Sequence, residues 1–248
     1  MSDRNTSNHS GLTPGLGAVA VAIVIASILL GNALVRMKRV GDTISVTGSA
    51  KREIVSDMVI WRATITAQRP TMRDAYSEIK TQTERVKKFL ADNRVPESEI
   101  TFRALQTSQV DEYNERGMQT GRILGYRMDQ PLEVHSSRVD SITALSVRVG
   151  DLAGEGITLW SSPPEYLFTG LSELRIEMLG EATKDATARA KQIAEASGGK
   201  LGTVRNARMG VFQITPRNST DVSDWGIYDT STKEKDITAV VRLSYSLK

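Results

Sequence analysis

Residues 57–68, Asp-Met-Val-Ile-Trp-Arg-Ala-Thr-Ile-Thr-Ala-Gln, alternate apolar and polar side chains. The apolar face consists of Val59, Trp61, Ala63, Ile65 and Ala67. A period of two over this length predicts a β-strand with one buried face. Pro70 ends the pattern, and residues 72–93 follow with helical spacing. One side of that helix carries Lys, Glu, Arg and Gln, and the other carries Ala75, Ile79, Val86 and Leu90.

Strands are predicted on both sides of this pair. The same alternation predicts strands or extended segments at 43–52, 100–110, 124–135, 157–161, 166–168, 203–214 and 237–247. The polar segment 111–122 contains Gly117 and Gly121 and has the composition of a hairpin loop. Pro131 predicts that its strand is an edge strand or carries a bulge, because proline cannot donate a ladder hydrogen bond.

Two further helices are predicted. The sequence Ser137-Arg138-Val139-Asp140 resembles a capping box and opens a helix that Gly154 and Gly156 close. The longest helix covers 172–197 and ends before Gly198 and Gly199. Its predicted inner face consists of Leu174, Met178, Ala182, Ala186, Ala190, Ile193 and Ser197.

The order of elements repeats a strand–helix–strand–strand unit at 57–135 and 157–247. We therefore expect an α+β fold of mainly antiparallel sheets covered by long helices, with two lobes related by pattern but not by visible identity. The expected organisation is a disordered polar tail (1–15), a transmembrane anchor (16–35), a linker (36–42) and an α+β domain (43–248) with a polar loop at 216–236.

Composition excludes several classes of site. The chain of 248 residues is 40% hydrophobic with a net charge of +3, and it shows no basic stripe with interleaved aromatics, so we expect no nucleic-acid partner. The absence of cysteine excludes disulfides, thiolate nucleophiles and cysteine-ligated metals. Of the two histidines, His9 lies in the polar tail, so any histidine site would depend on His135 alone.

Residues 16–35 form an uncharged apolar run with only Ser27 and Asn32 polar. A helix of about 20 residues crosses a hydrocarbon core of about 30 Å. We expect an uncleaved membrane helix that contacts lipid. The alternative is a cleaved signal peptide, with the segment 31–33 imitating a cleavage site. Small residues at a spacing of four, which are Ala18, Ala22 and Ala26, suit a helix–helix contact in lipid, although alanine is also common in any membrane helix.

The catalytic candidates are few. His135 and Asp140 could form an acid–base or metal pair, but a lone histidine is a poor transition-metal site. Ser161 and Ser162 lack a nucleophile-elbow sequence. The carboxylate pairs Asp111/Glu112 and Glu173/Glu177 are typical of a solvated face. We therefore expect no catalytic residue, no cofactor and no metal, and we interpret the chain as a protein that is not an enzyme.

Trp225 and Tyr228 lie in the otherwise polar loop 216–236. Large aromatic side chains in such a loop often mark an interface between subunits. The alternative is that they fold back onto their own domain. We expect Trp225 to be buried between subunits.

Several short motifs, taken in chain order, resemble SIMPL-domain proteins, a family that includes bacterial periplasmic immunogenic proteins. The motifs include Ile44-Ser45-Val46-Thr47-Gly48-Ser49-Ala50, Gly125-Tyr126-Arg127, Tyr166-Leu167-Phe168-Thr169 and Ala196-Ser197-Gly198-Gly199-Lys200-Leu201-Gly202. The resemblance covers residues 43–248. It implies an extracytoplasmic, exported or anchored protein; some relatives form large channel-like homo-oligomers, and members are linked to oxidative-stress tolerance. It implies no catalytic residues.

The resemblance and the flanks of the apolar run disagree on orientation. Arg36, Lys38 and Arg39 follow the run at once and argue for a cytoplasmic domain by the positive-inside rule. The family implies the opposite, and we expect a single-pass protein of the bacterial inner membrane with a periplasmic domain. We interpret the chain as a self-assembling envelope scaffold. The alternative is a membrane-tethered module, monomeric or dimeric, that binds a protein or a small ligand; an unrecognised hydrolase ranks third.

Overall fold

The structure is a computed structural model that describes residues 21–31 and 43–248. Its helices are α1 (21–31), α2 (Met72–Asp92), α3 (Val139–Arg148), α4 (Asp151–Gly154) and α5 (Leu171–Ala196). A short 3-10 turn covers Glu97–Glu99. Its strands are β1 (Thr43–Val55), β2 (Met58–Arg69), β3 (Ile100–Phe102), β4 (Gln106–Tyr113), β5 (Gln119–Ser136), β6 (Leu159–Ser161), β7 (Glu165–Leu167), β8 (Leu201–Met209), β9 (Gln213–Pro216), β10 (Ile227–Tyr228) and β11 (Glu234–Leu247).

The chain divides into two compact units. Unit 2 comprises Ala50–Glu181 and Val211–Val240. Unit 1 contains Ala182–Gly210, Val241–Lys248 and the first part of β1, up to Ser49. The predicted α+β class with antiparallel pairing is confirmed, since the pairs that β2 and β5 form with their neighbours are all antiparallel.

Unit 2 contains a sheet in the order β3-β5-β2-β6, in which β4 also pairs with β5 and β7 also pairs with β2. Helices α2 and α3 pack on one face of this sheet. The inward residues predicted for β2 and α2 are all buried. Burial of a large apolar side chain contributes about 1.5–3 kcal/mol, so this face supplies the core of unit 2. Thr71 is the N-cap of α2, and its hydroxyl accepts a hydrogen bond from the Asp74 amide at 3.2 Å.

Pro131 lies in a central strand, so the predicted edge strand is wrong. β5 pairs with β2 on one side and with β3 and β4 on the other. The Pro131 carbonyl accepts a hydrogen bond from the Arg103 amide at 2.9 Å. Because the N–H and C=O positions of one strand residue point to the same side, the position where Pro131 lacks an N–H also faces the break between β3 and β4. Because the neighbouring ladder is interrupted there, the missing donor leaves no strand partner unpaired.

The hairpin between β4 and β5 turns more tightly than expected, because the strands still pair at Tyr113 and Gln119. The side chain of Asn114 accepts hydrogen bonds from the Arg116 and Met118 amides, each at 3.0 Å. Gly117 has φ +72° within this turn, a backbone conformation that glycine adopts without strain. Much of the predicted loop 111–122 is therefore strand.

In unit 1, β8 pairs antiparallel with β11, from Val241 opposite Met209 to Leu247 opposite Leu201. Gly48 on β1 lies directly against α5, where an added Cβ would overlap the backbone of Ala182 and Ala186. The predicted inner face of α5 is confirmed up to Ala190. It is wrong at Ile193 and Ser197, which are exposed, because the helical repeat brings Ala194 inward instead.

Two other expectations differ from the structure. The N-cap of α3 is Arg138, and no side-chain cap bond forms there among the described residues, so the predicted capping box at Ser137 is wrong. The two predicted lobes do not separate as units: β6 and β7, from the second repeat, pair with β2 from the first. Strand pairing between distant segments is set by the tertiary fold and not by local pattern.

The helix α1 covers residues 21–31 of the predicted anchor, and all of its side chains are exposed. Ala22 and Ala26 lie on it, whereas Ala18 and the remainder of 16–35 fall outside the described residues, as do the predicted tail 1–15 and the whole of the predicted linker 36–42. None of the helices in the described part of the chain combines the length and apolarity that a membrane span requires.

Candidate functional site

His135 lies on the face of the unit 2 sheet opposite the core, beside Glu133. Its Nε2 is 3.4 Å from Glu133 Oε2. Two arginines also bind this carboxylate, Arg62 through Nε at 2.7 Å and Arg103 through Nη2 at 2.8 Å. Hydrogen bonds from Arg103 and Arg62 lower the pKa of Glu133 to about 2. Glu133 therefore stays ionised near neutral pH and cannot serve as a general acid there.

The pair of His135 and Asp140, which the sequence analysis considered and disfavoured, does not form. The Asp140 carboxylate instead lies 2.6 Å from the Lys233 ammonium. Arg62 also binds Glu165, so a row of alternating charges crosses this sheet face from Arg103 to Glu165. Within the described residues, no group of three or more potential ligands could hold a metal ion.

Several of the other candidate side chains, among them Ser161, Glu112 and Glu177, are engaged in structural contacts. Ser161 Oγ accepts a hydrogen bond from the buried indole N–H of Trp61 at 2.9 Å. Glu112 binds Thr120 and Arg122, and Glu177 binds Arg52 at 2.7 Å. These contacts satisfy polar groups next to the core or link neighbouring strands and helices. The serine and the carboxylates therefore have a structural role.

The loop between β9 and β11 is fixed at one end by a buried ion pair. Lys235 is 2% exposed, and its ammonium lies 2.9 Å from Asp229 Oδ2. Burial raises the pKa of the Asp229 carboxyl, but hydrogen bonds from Ser231, Thr232 and Lys235 outweigh it and hold this pKa below its ordinary value. We refer to residues 229–235 as the loop stem.

The other end of the loop presents apolar side chains to solvent. Trp225 is 94% exposed and Val222 is 81% exposed, and we refer to residues 221–225 as the loop tip. The tip is held in place, since the Ser223 carbonyl accepts hydrogen bonds from the Gln213 side chain at 2.6 Å and from the Gly226 amide at 3.1 Å. The alternative that Trp225 folds back onto its own domain is wrong. Tyr228 is about half exposed.

Unit 2 also carries cavities that the sequence did not predict. A polar cavity of about 520 Å³ lies at the start of α3. Its lining includes Ser56, whose buried hydroxyl has no hydrogen-bond partner among the described residues. A smaller cavity of about 320 Å³ lies between the end of α2 and β3, and we refer to it as the apolar pocket. It is lined by Lys87, Ala91, Val95, Glu97, Ile100 and Phe102.

The buried ion pair of the loop stem could have been found in the sequence. The alternation Ile237, Ala239, Val241 extends backward to Lys235, which places this lysine on the inward face. Asp229 is followed by Ser231 and Thr232, a composition typical of a side-chain-stabilised turn. The two cavities have no comparable signal, because their walls come from separate elements.

Comparison with known proteins agrees with the resemblance of the motifs. A family model described as SIMPL, protein of unknown function (DUF541), matches residues 44–245. No curated protein matches the chain. The matched range covers nearly all of the predicted α+β domain, and the family description assigns no activity. On this match, which spans far more than half of the sequence, the chain belongs to the SIMPL (DUF541) family.

Proposed function

We propose that this protein is a membrane-anchored, extracytoplasmic scaffold that self-assembles into a large homo-oligomer of ring, cage or channel-like form, without enzymatic activity. Its role would be in the cell envelope, in tolerance of envelope or oxidative stress. The observation that carries the proposal is the exposure of Trp225 on a loop that buried contacts hold in place. An ordered, exposed tryptophan is the kind of residue that anchors protein interfaces.

The anchoring part of the proposal is supported by α1. Its exposed residues include Val21, Ile23, Val24, Ile25, Ile28, Leu29 and Leu30. A helix that is apolar on all sides requires an apolar environment, and lipid supplies one. Ala22 and Ala26 lie one turn apart on this helix and suit close approach of a second helix.

The orientation part rests on the family. Extracytoplasmic placement follows from the resemblance, while Arg36, Lys38 and Arg39 argue for the opposite side. Because the chain contains no cysteine, the orientation is directly testable. A Ser219→Cys substitution places one thiol in the loop, and a membrane-impermeant maleimide added to spheroplasts labels it only when the domain faces outward. Labelling that requires lysis would place the domain in the cytoplasm and contradict the proposal.

The non-enzymatic part is supported by the contacts of the candidate residues. His135 adjoins a carboxylate that two arginines keep ionised, and Ser161 receives a hydrogen bond from Trp61. Neither arrangement provides a nucleophile activated by a free base.

The test of assembly is the solution mass of the full-length protein in mild detergent, measured beside a truncated chain that begins at Gly41. Large discrete particles from both chains support assembly through the domain. Large particles from the full-length chain alone assign association to the membrane helix and to Ala22 and Ala26. Monomers from both chains contradict the scaffold.

The alternative function is a membrane-tethered binding module. The observation that favours it is the polar cavity at α3, in which the buried Ser56 hydroxyl lacks a protein partner among the described residues. A volume of about 520 Å³ lies within the range of small-ligand sites. This alternative predicts a monomer or dimer in the mass measurement. It also predicts a Ser56→Ala variant with unchanged mass and lost ligand binding.

A further inference from the structure

We infer that the indole of Trp225 from one copy inserts into the apolar pocket of the next copy, so that subunits join head to tail. The inference rests on the proposed self-assembly and names the contact that produces it. Both surfaces belong to unit 2, on different elements: the loop tip lies between β9 and β11, and the apolar pocket lies between α2 and β3.

The first half of the contact is the loop tip. Trp225 is 94% exposed, so it does not fill the apolar pocket of its own chain. The hydrogen bonds to the Ser223 carbonyl fix the tip in its presenting conformation. A side chain that is already ordered loses little conformational entropy when it binds, which strengthens the contact.

The second half is the apolar pocket. Val95 is buried, and Ile100 and Phe102 are half-buried and pack against the core. The volume of about 320 Å³ lies at the small end of the range for organic ligands, and suits one aromatic side chain. An aromatic side chain buries roughly 150–250 Å² on insertion, which is the driving force for the contact.

Polar groups around the apolar pocket match those of the loop tip. The Lys87 ammonium lies 5.4 Å from the centre of the Phe102 ring, and a second aromatic ring beside it can share this cation–π interaction. Glu97 offers a carboxylate acceptor for the indole N–H. Asp224, directly before Trp225, carries a charge opposite to that of Lys87, whose ammonium also lies 2.8 Å from Glu84 Oε1 on its own helix. Complementary charge at the rim favours this register over others.

The proposed self-assembly makes a second copy of this chain the occupant. We refer to the Trp225 side chain as the knob. A knob and a pocket at different places on one molecule make a heterologous contact, and a series of such contacts closes into a ring or continues as a filament. One inserted side chain buries far less than the roughly 1,600 Å² of a stable interface. Anchoring in one membrane raises the effective concentration and compensates for this small area.

The test uses full-length protein in mild detergent, with particle mass measured by light scattering across a concentration series. Trp225→Ala removes the knob. Ala91→Phe fills the pocket from an exposed helix position, where the added ring does not disturb the core. We expect each variant alone to lose the large particle, with a dissociation constant raised roughly thirtyfold or more. Lys88→Glu, on the same helix but outside the pocket, is the matched control and keeps the wild-type mass.

Mixing the two variants is the decisive step. The Trp225→Ala chain keeps its pocket and the Ala91→Phe chain keeps its knob, so a one-to-one mixture forms dimers and stops there. A charge reversal adds a second check: Lys87→Glu weakens assembly roughly tenfold, and Asp224→Lys in the same chain restores it. In a Trp160→Phe background the emission of Trp225 shifts to shorter wavelength on assembly, because the indole leaves water.

The outcomes separate this inference from the proposed function. If wild-type protein is large and Ala91→Phe or Trp225→Ala is equally large, self-assembly stands and the knob–pocket contact is overturned. If wild-type protein is monomeric across the series, both are overturned. A mixture that forms no dimers, although each single variant has lost the large particle, overturns the head-to-tail arrangement.

Discussion

The loop stem and the loop tip belong to one loop of about twenty residues and have opposite surroundings. In the stem, Lys235 and Asp229 form an ion pair of which almost nothing reaches solvent. In the tip, Trp225 and Val222 are almost fully exposed. Charged groups lie inside and apolar groups outside, the reverse of the usual distribution. The difference indicates that the stem supplies the rigidity with which the tip presents its apolar side chains.

A second pair of residues shows what burial changes. Lys233–Asp140 and Lys235–Asp229 are both lysine–aspartate pairs, at 2.6 Å and 2.9 Å. The Asp140 side chain is 83% exposed, whereas that of Asp229 is 9% exposed. An exposed pair is screened by water and contributes little, whereas loss of one partner from a buried pair leaves an uncompensated charge. The two lysines therefore form a matched pair of positions for mutation.

The largest expected effect is that of Lys235→Ala. The substitution leaves the Asp229 carboxylate buried without its cation, and we expect the free energy of unfolding to fall by about 3–5 kcal/mol. Urea denaturation followed by circular dichroism measures this change. Lys233→Ala is the control and leaves the midpoint of unfolding where it is. Equal effects of the two substitutions would remove the distinction between buried and exposed pairs.

Gly226→Ala tests the connection between tip and stem. Gly226 has φ +85°, and an added Cβ would lie 2.9 Å from the Phe212 carbonyl oxygen. The left-handed conformation and this close contact together predict a loss of about 1–3 kcal/mol. Gly154→Ala is the control, since Gly154 is helical and an added Cβ meets nothing within 4 Å. Unchanged stability of Gly226→Ala would show that the tip adjusts freely at this position.

Acid is expected to weaken the stem by a smaller amount. The folded-state pKa of Asp229 lies below its ordinary value of 3.8, so its contribution to stability is complete above about pH 4 and is lost as pH falls through the folded-state pKa. At pH 3 only part of the contribution is gone. Unfolding free energies measured at pH 7, 5, 4 and 3 should decline at the acid end. An Asp229→Asn variant should decline less steeply, and an identical decline would assign the acid sensitivity elsewhere.

Trp225→Ala should have the smallest effect on stability. An exposed side chain contributes little to the folded state, and we expect the unfolding free energy of the isolated chain to stay within about 0.5 kcal/mol of wild type. Trp61→Ala, at a fully buried indole, is the contrasting variant and should cost about 3–5 kcal/mol. A substantial loss for Trp225→Ala, measured by the same urea denaturation under monomeric conditions, would mean that the tip packs on its own chain.

The sequence predicted the elements whose local pattern is strong. Alternation identified β2 and β11, and helical spacing identified α2 and most of α5, because these patterns follow directly from which side chains must leave water. The prediction was wrong at Ile193. It stepped three residues along the helix from Ala190, whereas the buried residue is Ala194, four residues along. The motif order also predicted the family that the family match confirmed.

The candidate site was predicted only in part. Trp225 and Tyr228 were singled out by residue type, and the structure leaves the Trp225 side chain exposed on the surface of its own chain. Alternation in β11 by itself determines that Lys235 faces inward. Only the tertiary structure decided that Asp229 meets it, that Pro131 lies beside a break in the ladder, and that α2 and β3 enclose the apolar pocket. The physical reason is range: a local pattern fixes the face on which a side chain lies, whereas the partner on that face comes from a distant segment brought near by the fold.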